Sequence, residues 1–566
     1  MKKILQQNSI FLISVLMIHG AIGQESTAQA NQPPLKKDKL QIVFVMGQSN
    51  MVGLADIGTS WYLTEPQYVP PKDLLMKKSD SFEWNNFFWQ GVRYYKGPAE
   101  LKKELEDLLD ARSKSRSLWR NRVKNQEWQA EWGTKPEVKG RQAMYAFLDK
   151  KAEEEGIYPR MAEILNGPEN QYPMEKAYEQ IVSRDQYNAE QLERVRGIYL
   201  NGTKSEDFAP FFAQLDLVKK RGKKGVVGAP VGTPEEIRAH VAKLGQEMVN
   251  LPIAKRTYIF SHGAFESSMD NPIEATAHGP LSIGWGGGVT TIGPEYGVGI
   301  TLERLVDAPI LLVKCAWGNT AIREAWRPGS LDGVETPAEK AQREAANALD
   351  AARAKEEGRE PNPRPAPEKT GKLSWAWNMA LPAVKDVLKD PGKYHPEYDP
   401  AKGYDIAGMV WFQGYSDMNN EAYGEQLEEM IKWFRKEVDA PEMPFVAGSL
   451  GVGSYYHTAL KGNVSGGMVK AAQSPDLKGS VDVVNTGRFY PLELDAADNI
   501  FLSMEKGTPE QQELNTFLRK ATSNKAFHYR GSAKFFLLAG DAMARSLANL
   551  MAGGKPQILE ELDTAE

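Results

Sequence analysis

Ile42-Val43-Phe44-Val45-Met46-Gly47-Gln48-Ser49-Asn50-Met51 is the stretch whose reading decides the fold. It opens as a continuous apolar run rich in β-branched side chains, the pattern of a strand buried on both faces. Gly47 can take the backbone angles that a sharp exit from such a strand needs. Ser49 then stands just past the strand's carboxyl end, where open α/β sheets build their sites and present nucleophiles. Read alone, Gly-Gln-Ser-Asn is equally a plain polar turn, so the rest of the chain must decide.

Four further apolar runs, 308–317, 406–413, 443–450 and 481–486, follow with helical stretches between most of them, and 255–261 is a candidate sixth. Such alternation predicts an α/β fold, a flavodoxin-like parallel sheet of about five strands flanked by helices. Thr233-Pro234-Glu235-Glu236, Thr336-Pro337-Ala338-Glu339 and Thr508-Pro509-Glu510-Gln511 each read as a capping box with proline at the first helical position. Residues 60–250 differ: they are rich in Lys, Glu, Gln, Trp and Tyr, with helical stretches at 99–114 and 176–198, and read as a large, mostly helical insertion. Its Trp119, Trp128 and Trp132 suit either sugar stacking or the insertion's own core, with core favoured. Residues 336–370 form a second excursion, a charged alanine-rich helix and then a stiff proline-rich link.

At 566 residues the chain exceeds one minimal domain, and 41% hydrophobic with 25% charged residues is an ordinary globular composition. A net charge of -5 without a long basic block argues against nucleic acid as a partner. Lys2 and Lys3 precede the apolar stretch 10–18, too short to span a bilayer comfortably, and small residues follow at Ala21, Gly23, Ala28 and Ala30. This layout predicts a signal peptide over 1–30, cleaved after 23 or 30, a secreted or periplasmic protein, and no membrane attachment after cleavage. The single cysteine, Cys315, lies in an apolar run and reads as a core thiol, so no internal disulfide forms. No cysteine cluster, no histidine pair at ligand spacing and no phosphate-cradling glycine pattern is present, so neither metal nor cofactor is expected.

Three later blocks carry a family likeness. They are Ala316-Trp317-Gly318-Asn319-Thr320, Val410-Trp411-Phe412-Gln413-Gly414-Tyr415-Ser416-Asp417, and Phe527-His528-Tyr529-Arg530-Gly531-Ser532-Ala533. With Gly47–Met51, in this order, they resemble the sialate O-acetylesterase group of SGNH-type carbohydrate esterases. The likeness covers 40–58 and about 255–550, and leaves out 60–250. It implies an SGNH hydrolase domain at 38–59 and 251–552, interrupted by the insertion. It also implies an exported serine esterase that removes O-acetyl groups from carbohydrates through an acyl-serine intermediate.

Ester cleavage needs a nucleophile, a base and donors for the developing oxyanion. The resemblance makes Ser49 the nucleophile, with its own N–H and that of Gly318 as oxyanion donors, and Gln48 and Asn50 beside it as binding residues. The family's third block usually reads Gly-x-Asn-Asp, its asparagine being the third donor; here Ser416 replaces it, and Gln413 is a neighbouring candidate. Losing such a donor outright typically costs ~2.7–4 kcal/mol in the barrier. Of seven histidines, His528 is the expected base, because it precedes the amphipathic run Phe535, Phe536, Leu538, Ala539, Ala542, Met543 and Leu547. His262, His278 and His457 are its rivals. Many enzymes of this type carry an acid three residues before the histidine; that position is Lys525, with Asn524 beside it and no carboxylate. Asp417, Asp495 or Asp498 are candidate partners, unless serine and histidine act as a dyad. Gly293-Pro294-Glu295 resembles another recurrent family piece, with Glu295 an orienting or structural carboxylate. The missing acid and Ser416 keep open the alternative of a catalytically impaired, esterase-like carbohydrate-binding protein.

Overall fold

The computed structural model describes residues 33–71, 95, 97–125, 147, 148, 150–170, 174–221, 223–264, 275–369, 373–453 and 462–558. The expected signal peptide, Trp128, Trp132 and His457 lie outside these residues.

The six apolar runs become strands β1 (Leu40–Gly47), β2 (Thr257–Ala264), β4 (Ile310–Trp317), β5 (Tyr404–Phe412), β6 (Phe445–Gly448) and β7 (Val481–Val484), and Thr276–Pro280 adds β3. They form one seven-stranded sheet in the order β7-β6-β5-β1-β4-β2-β3. Every neighbouring pair is parallel except β2–β3. The sheet therefore exceeds the expected five strands by the sixth run, now β2, and by β3. Periodicity could not reveal β3: Thr276–Pro280 has no apolar run, and antiparallel pairing with β2 places it at an edge, where Pro280 is tolerated.

β1 lies mid-sheet and is buried along its whole length. Successive side chains of a strand point to opposite faces. Val43 and Val45 accordingly join one core, with helices Pro294–Leu305 and Ala533–Met551. Leu40, Ile42, Phe44 and Met46 join the other, with helices Trp375–Lys389, Tyr423–Glu437 and Asn463–Gln473. Each fully buried Val, Ile or Phe contributes roughly 1.5–3 kcal/mol. Helices Pro294–Leu305 and Ala533–Met551 approach backbone to backbone where Gly297 meets Gly540, since a Cβ on Gly297 would lie 2.9 Å from the Gly540 Cα.

Much of 60–250 belongs to the first core. Tyr62, Leu192, Tyr199, Phe208, Leu215 and Val241 pack in the same cluster as Val43. Leu105, Ile157, Tyr158, Met161 and Leu165 form a separate cluster around helices Ala99–Asn125 and Ile157–Asn166. Trp119 is buried and its indole N–H donates to Glu155. The helix expected over 176–198 is broken into Met174–Val182, Arg184–Tyr187 and Ala189–Tyr199. The breaks turn Arg184 and Asn188 toward the loop at 487–488, whose carbonyls they bond. The capping boxes of Thr233 and Thr336 close in both directions. At Thr508 the hydroxyl caps Gln511, but the Gln511 amide reaches on to the Gly507 N–H.

A buried charge pair ties the sheet to the loops above it. Lys314, on β4, donates to the carbonyls of Val52 (2.9 Å) and Trp285 (2.7 Å) and lies 3.2 Å from the Glu295 carboxylate. Glu295 also accepts from the Gly293 N–H at 2.9 Å. Burial pushes the Glu295 carboxyl up and the Lys314 ammonium down, and the contact between them opposes both shifts. Glu295 is thus committed to structure.

Lys314→Met strands Glu295 and two carbonyls, a class of change costing ~3–5 kcal/mol. A urea titration should show a clearly lower midpoint; an unchanged one would remove this pair from the account. Gly47→Ala places a Cβ against the Phe412 carbonyl at a backbone φ of 155°. That substitution should cost at least ~1–3 kcal/mol, read by the same titration.

Candidate active site

The site begins where β1 ends. Gly47 presses its backbone on β5 at Phe412, the Gln48 N–H donates to the Phe412 carbonyl (3.2 Å), and the chain turns into the short helix Ser49–Val52. Gln48 then crosses to the β5 loop, its Oε1 accepting from the Gly414 N–H at 2.9 Å. Asn50 Nδ2 donates to the Phe527 carbonyl at 3.2 Å. Both residues, expected to bind substrate, tie the Ser49 turn to the two loops that face it.

Ser49 Oγ and His528 Nε2 are 3.0 Å apart, both residues being buried. On the other side of the ring, His528 Nδ1 lies 3.0 Å from Asn524 Oδ1. The Lys525 backbone N–H donates to the same Asn524 atom at 2.8 Å. Because an N–H can only donate, that atom is the amide oxygen, and the facing Nδ1 carries the proton of the neutral ring. Nε2 is left as an acceptor for the Ser49 hydroxyl. Burial pushes the His528 imidazole down to about 4, so it is neutral at neutral pH.

His528 sits in the turn Ala526–Gly531, where Tyr529 (φ 51°), Arg530 (φ 59°) and Gly531 (φ 56°) are all left-handed. For non-glycine residues this conformation costs ~1–2 kcal/mol each, so the surroundings must hold it. The Arg530 carbonyl accepts from Ser523 N (2.9 Å) and Asn524 N (3.1 Å). Its guanidinium bonds Asp495 and Asp498, the latter at 2.5 Å. The Tyr529 ring stacks on Phe535 at 3.7 Å, and its hydroxyl accepts from the Gly451 N–H.

Several expected site residues are therefore scaffold. Asp495 and Asp498 hold Arg530 rather than the imidazole. Asp417 accepts from Ile322 N (2.8 Å), Gln413 Nε2 (2.6 Å) and Asn420 Nδ2 (2.9 Å). Gln413 also donates to the Thr320 carbonyl and accepts from the Tyr423 hydroxyl, so its amide is spent on the loop and not on an oxyanion. The Gly318 N–H donates to the Ala264 carbonyl at 3.0 Å, because the β2–β4 ladder runs one residue beyond the strand ends. Ser416 is exposed on the loop that Gln48 holds. Of the rival histidines, His262 packs on Trp317, and His278 lies on the edge strand against Tyr394.

Three residues have places at the site that the sequence did not assign. Asn524 stands beside Lys525 in the sequence, but an amide gives no signal of a histidine partner as a carboxylate does. Arg530 carried a signal, since Asp495 and Asp498 are three apart and so share one face of helix Leu492–Ser503. Phe527, 37% exposed, sets its ring against His528 at 4.4 Å and against Tyr415 at 5.4 Å, a contact between two separate blocks.

Comparisons with known proteins find a family likeness over one segment of the chain. Residues 394–488 match the family model described as carbohydrate esterase, sialic acid-specific acetylesterase. This segment includes β5 and its loop to Asp417, but neither Ser49 nor His528. No curated protein matches the chain. Among solved structures, a protein of Arabidopsis thaliana is 18% identical, covering 41% of this chain and 69% of its own, with a TM-score of 0.22. A carbohydrate acetylesterase from Xanthomonas citri is 16% identical over 45% of each chain, with a TM-score of 0.23. NanS is 12% identical, over 41% of this chain and 68% of its own, also at 0.23. Over residues 394–488, well under half of its length, this chain is thus similar to the carbohydrate esterases described as sialic acid-specific acetylesterases.

Proposed function

We propose that this protein is an exported serine esterase that removes O-acetyl groups from carbohydrates. The observation that carries the reading is the 3.0 Å contact between Ser49 Oγ and an unprotonated His528 Nε2 at the carboxyl edge of the sheet. His528 takes the hydroxyl proton as Ser49 attacks the acetyl carbonyl, then returns it to the departing sugar oxygen. Water, deprotonated by the same ring, cleaves the acyl-serine. The Ser49 backbone N–H, at the first position of its short helix, and the Ser416 hydroxyl are the oxyanion donors in this scheme. The family description supports a carbohydrate substrate, and the exposed ring of Phe527 beside the base offers a face for a sugar to stack on. The N-terminal layout of the sequence supports export.

The second reading, an impaired esterase that binds acetylated carbohydrate, draws on Ser416 in place of asparagine and on the engaged Gly318 N–H. Hydrolysis of an aryl acetate separates the two. Ser49→Ala should lower turnover by at least ~10³-fold; equal rates in variant and parent, with acetylated glycans also untouched, would favour binding alone.

The base works when neutral. Since its folded pKa is lowered to about 4, kcat/KM should stay flat down to about pH 5 and fall with a midpoint near 4. A midpoint near 6.5 would mean that the ring is solvated as in a free histidine. Phe527→Ala should raise KM for acetylated glycosides about three- to tenfold, the worth of one aromatic contact. An unchanged KM would remove Phe527 from the binding surface.

A further inference from the structure

We propose that Asn524 is the positioning residue of this site, a neutral stand-in for the missing acid whose amide is locked so that only its oxygen can face His528. The inference rests on the esterase reading for its role in turnover, and on the geometry alone for its effect on the ring.

An asparagine beside a catalytic histidine serves it in only one orientation. Its amide has a donor end and an acceptor end, and the donor end would force the proton onto Nε2, where the ring cannot accept from serine. In serine proteases the aspartate-to-asparagine change costs ~10⁴ in kcat for this reason. Here the Lys525 N–H, at 2.8 Å from Asn524 Oδ1, excludes the harmful orientation, because an NH₂ group placed there would face another donor. The same oxygen meets His528 Nδ1 at 3.0 Å. The Asn524 backbone is pinned as well, its N–H donating to the Arg530 carbonyl at 3.1 Å. Residues 523–531 thus form one closed unit, with the histidine in the middle and the asparagine holding it from one end.

The second consequence is electrostatic. Among the described residues, the charged groups near the turn include Lys525, Arg530, the Asp495 and Asp498 carboxylates that face Arg530 from helix Leu492–Ser503, Asp417 on the loop whose Tyr415 meets Phe527, and Asp56, whose N–H donates to Ser523 and whose carboxylate pairs with Lys219. Asp495 and Asp498 bond Arg530, and Asp417 bonds Ile322, Gln413 and Asn420. Helix Ser49–Val52 carries no titratable side chain. A neutral acceptor on Nδ1 orients the ring without drawing a proton onto it. The base therefore stays unprotonated to a lower pH than a carboxylate partner would permit, and the imidazolium formed during acylation is stabilised less.

The test uses the full chain and three versions of residue 524: the parent, Asn524→Ala and Asn524→Asp. With an aryl acetate, Asn524→Ala should lower kcat about 100-fold while KM stays within about twofold. Asn524→Asp keeps the Lys525 contact and adds a charge, so it should retain turnover and move the acid limb of kcat/KM up by about one pH unit or more. In ¹⁵N-histidine NMR spectra, with the His528 signals assigned by their loss in His528→Gln, the parent should show the Nδ1–H tautomer and Asn524→Ala a mixture. A kcat within about twofold of the parent in Asn524→Ala, an unmoved acid limb in Asn524→Asp, or an unchanged tautomer in Asn524→Ala would each overturn the proposal. Should Ser49→Ala turn over as fast as the parent, the esterase reading fails, and the NMR comparison still decides what Asn524 does to the ring.

Discussion

The close approach of the Gly47 backbone to the Phe412 carbonyl is the constraint on which the site is built. It lets two adjacent parallel strands end together, so that the Gln48 N–H meets the end of β5 and the Gln48 side chain reaches the loop beyond it. Any side chain at residue 47 would part the strands and carry Ser49 away from the loops opposite. The remaining features of the site, from the short helix that presents the serine to the Asn50 contact with Phe527, depend on that single close contact.

Most of the buried charge near the site serves to hold loops. Lys314 and Glu295 secure the end of the Ser49 helix and the loop before Pro294. Arg530 draws Asp495 and Asp498 onto a turn of left-handed residues, and Asp417 gathers Gln413, Asn420 and the Ile322 N–H. Among the described residues, the group that meets His528 Nδ1 is a neutral amide. Burial is costly for a charge and cheap for a satisfied dipole, so a site with its charges placed one layer out can keep its base neutral and still be rigid.

Much of this was legible along the chain. Strands that are apolar on both faces announce themselves, and β1, β4 and β5 follow the runs to within a few residues. The pairing of Ser49 with His528, 479 positions apart, was readable because both end blocks resemble one family in one order. Other assignments failed for a common reason. Gln413, Asp417, Asp495, Asp498 and Gly318 all have chemistry suited to a site, but hydrogen-bonding capacity along a chain does not show which partner will use it. Arg530, Asn420 and the β2–β4 ladder claimed those groups first. β3 was invisible because a half-exposed edge strand held by backbone bonds needs no hydrophobic pattern.

The sequence by itself determined the α/β class, the central buried strand, the serine at its end and the helix starts, because burial, backbone freedom and capping are local properties of residue types. Only the tertiary structure decided which side of Asn524 faces the imidazole, which carboxylates are spent on Arg530, and that an exposed Phe527 stands against the base. Those outcomes depend on how the turn at 523–531 folds back on itself and on the helix packed against it, and hydrogen bonds select their partners by geometry at about 3 Å, which no one-dimensional pattern encodes.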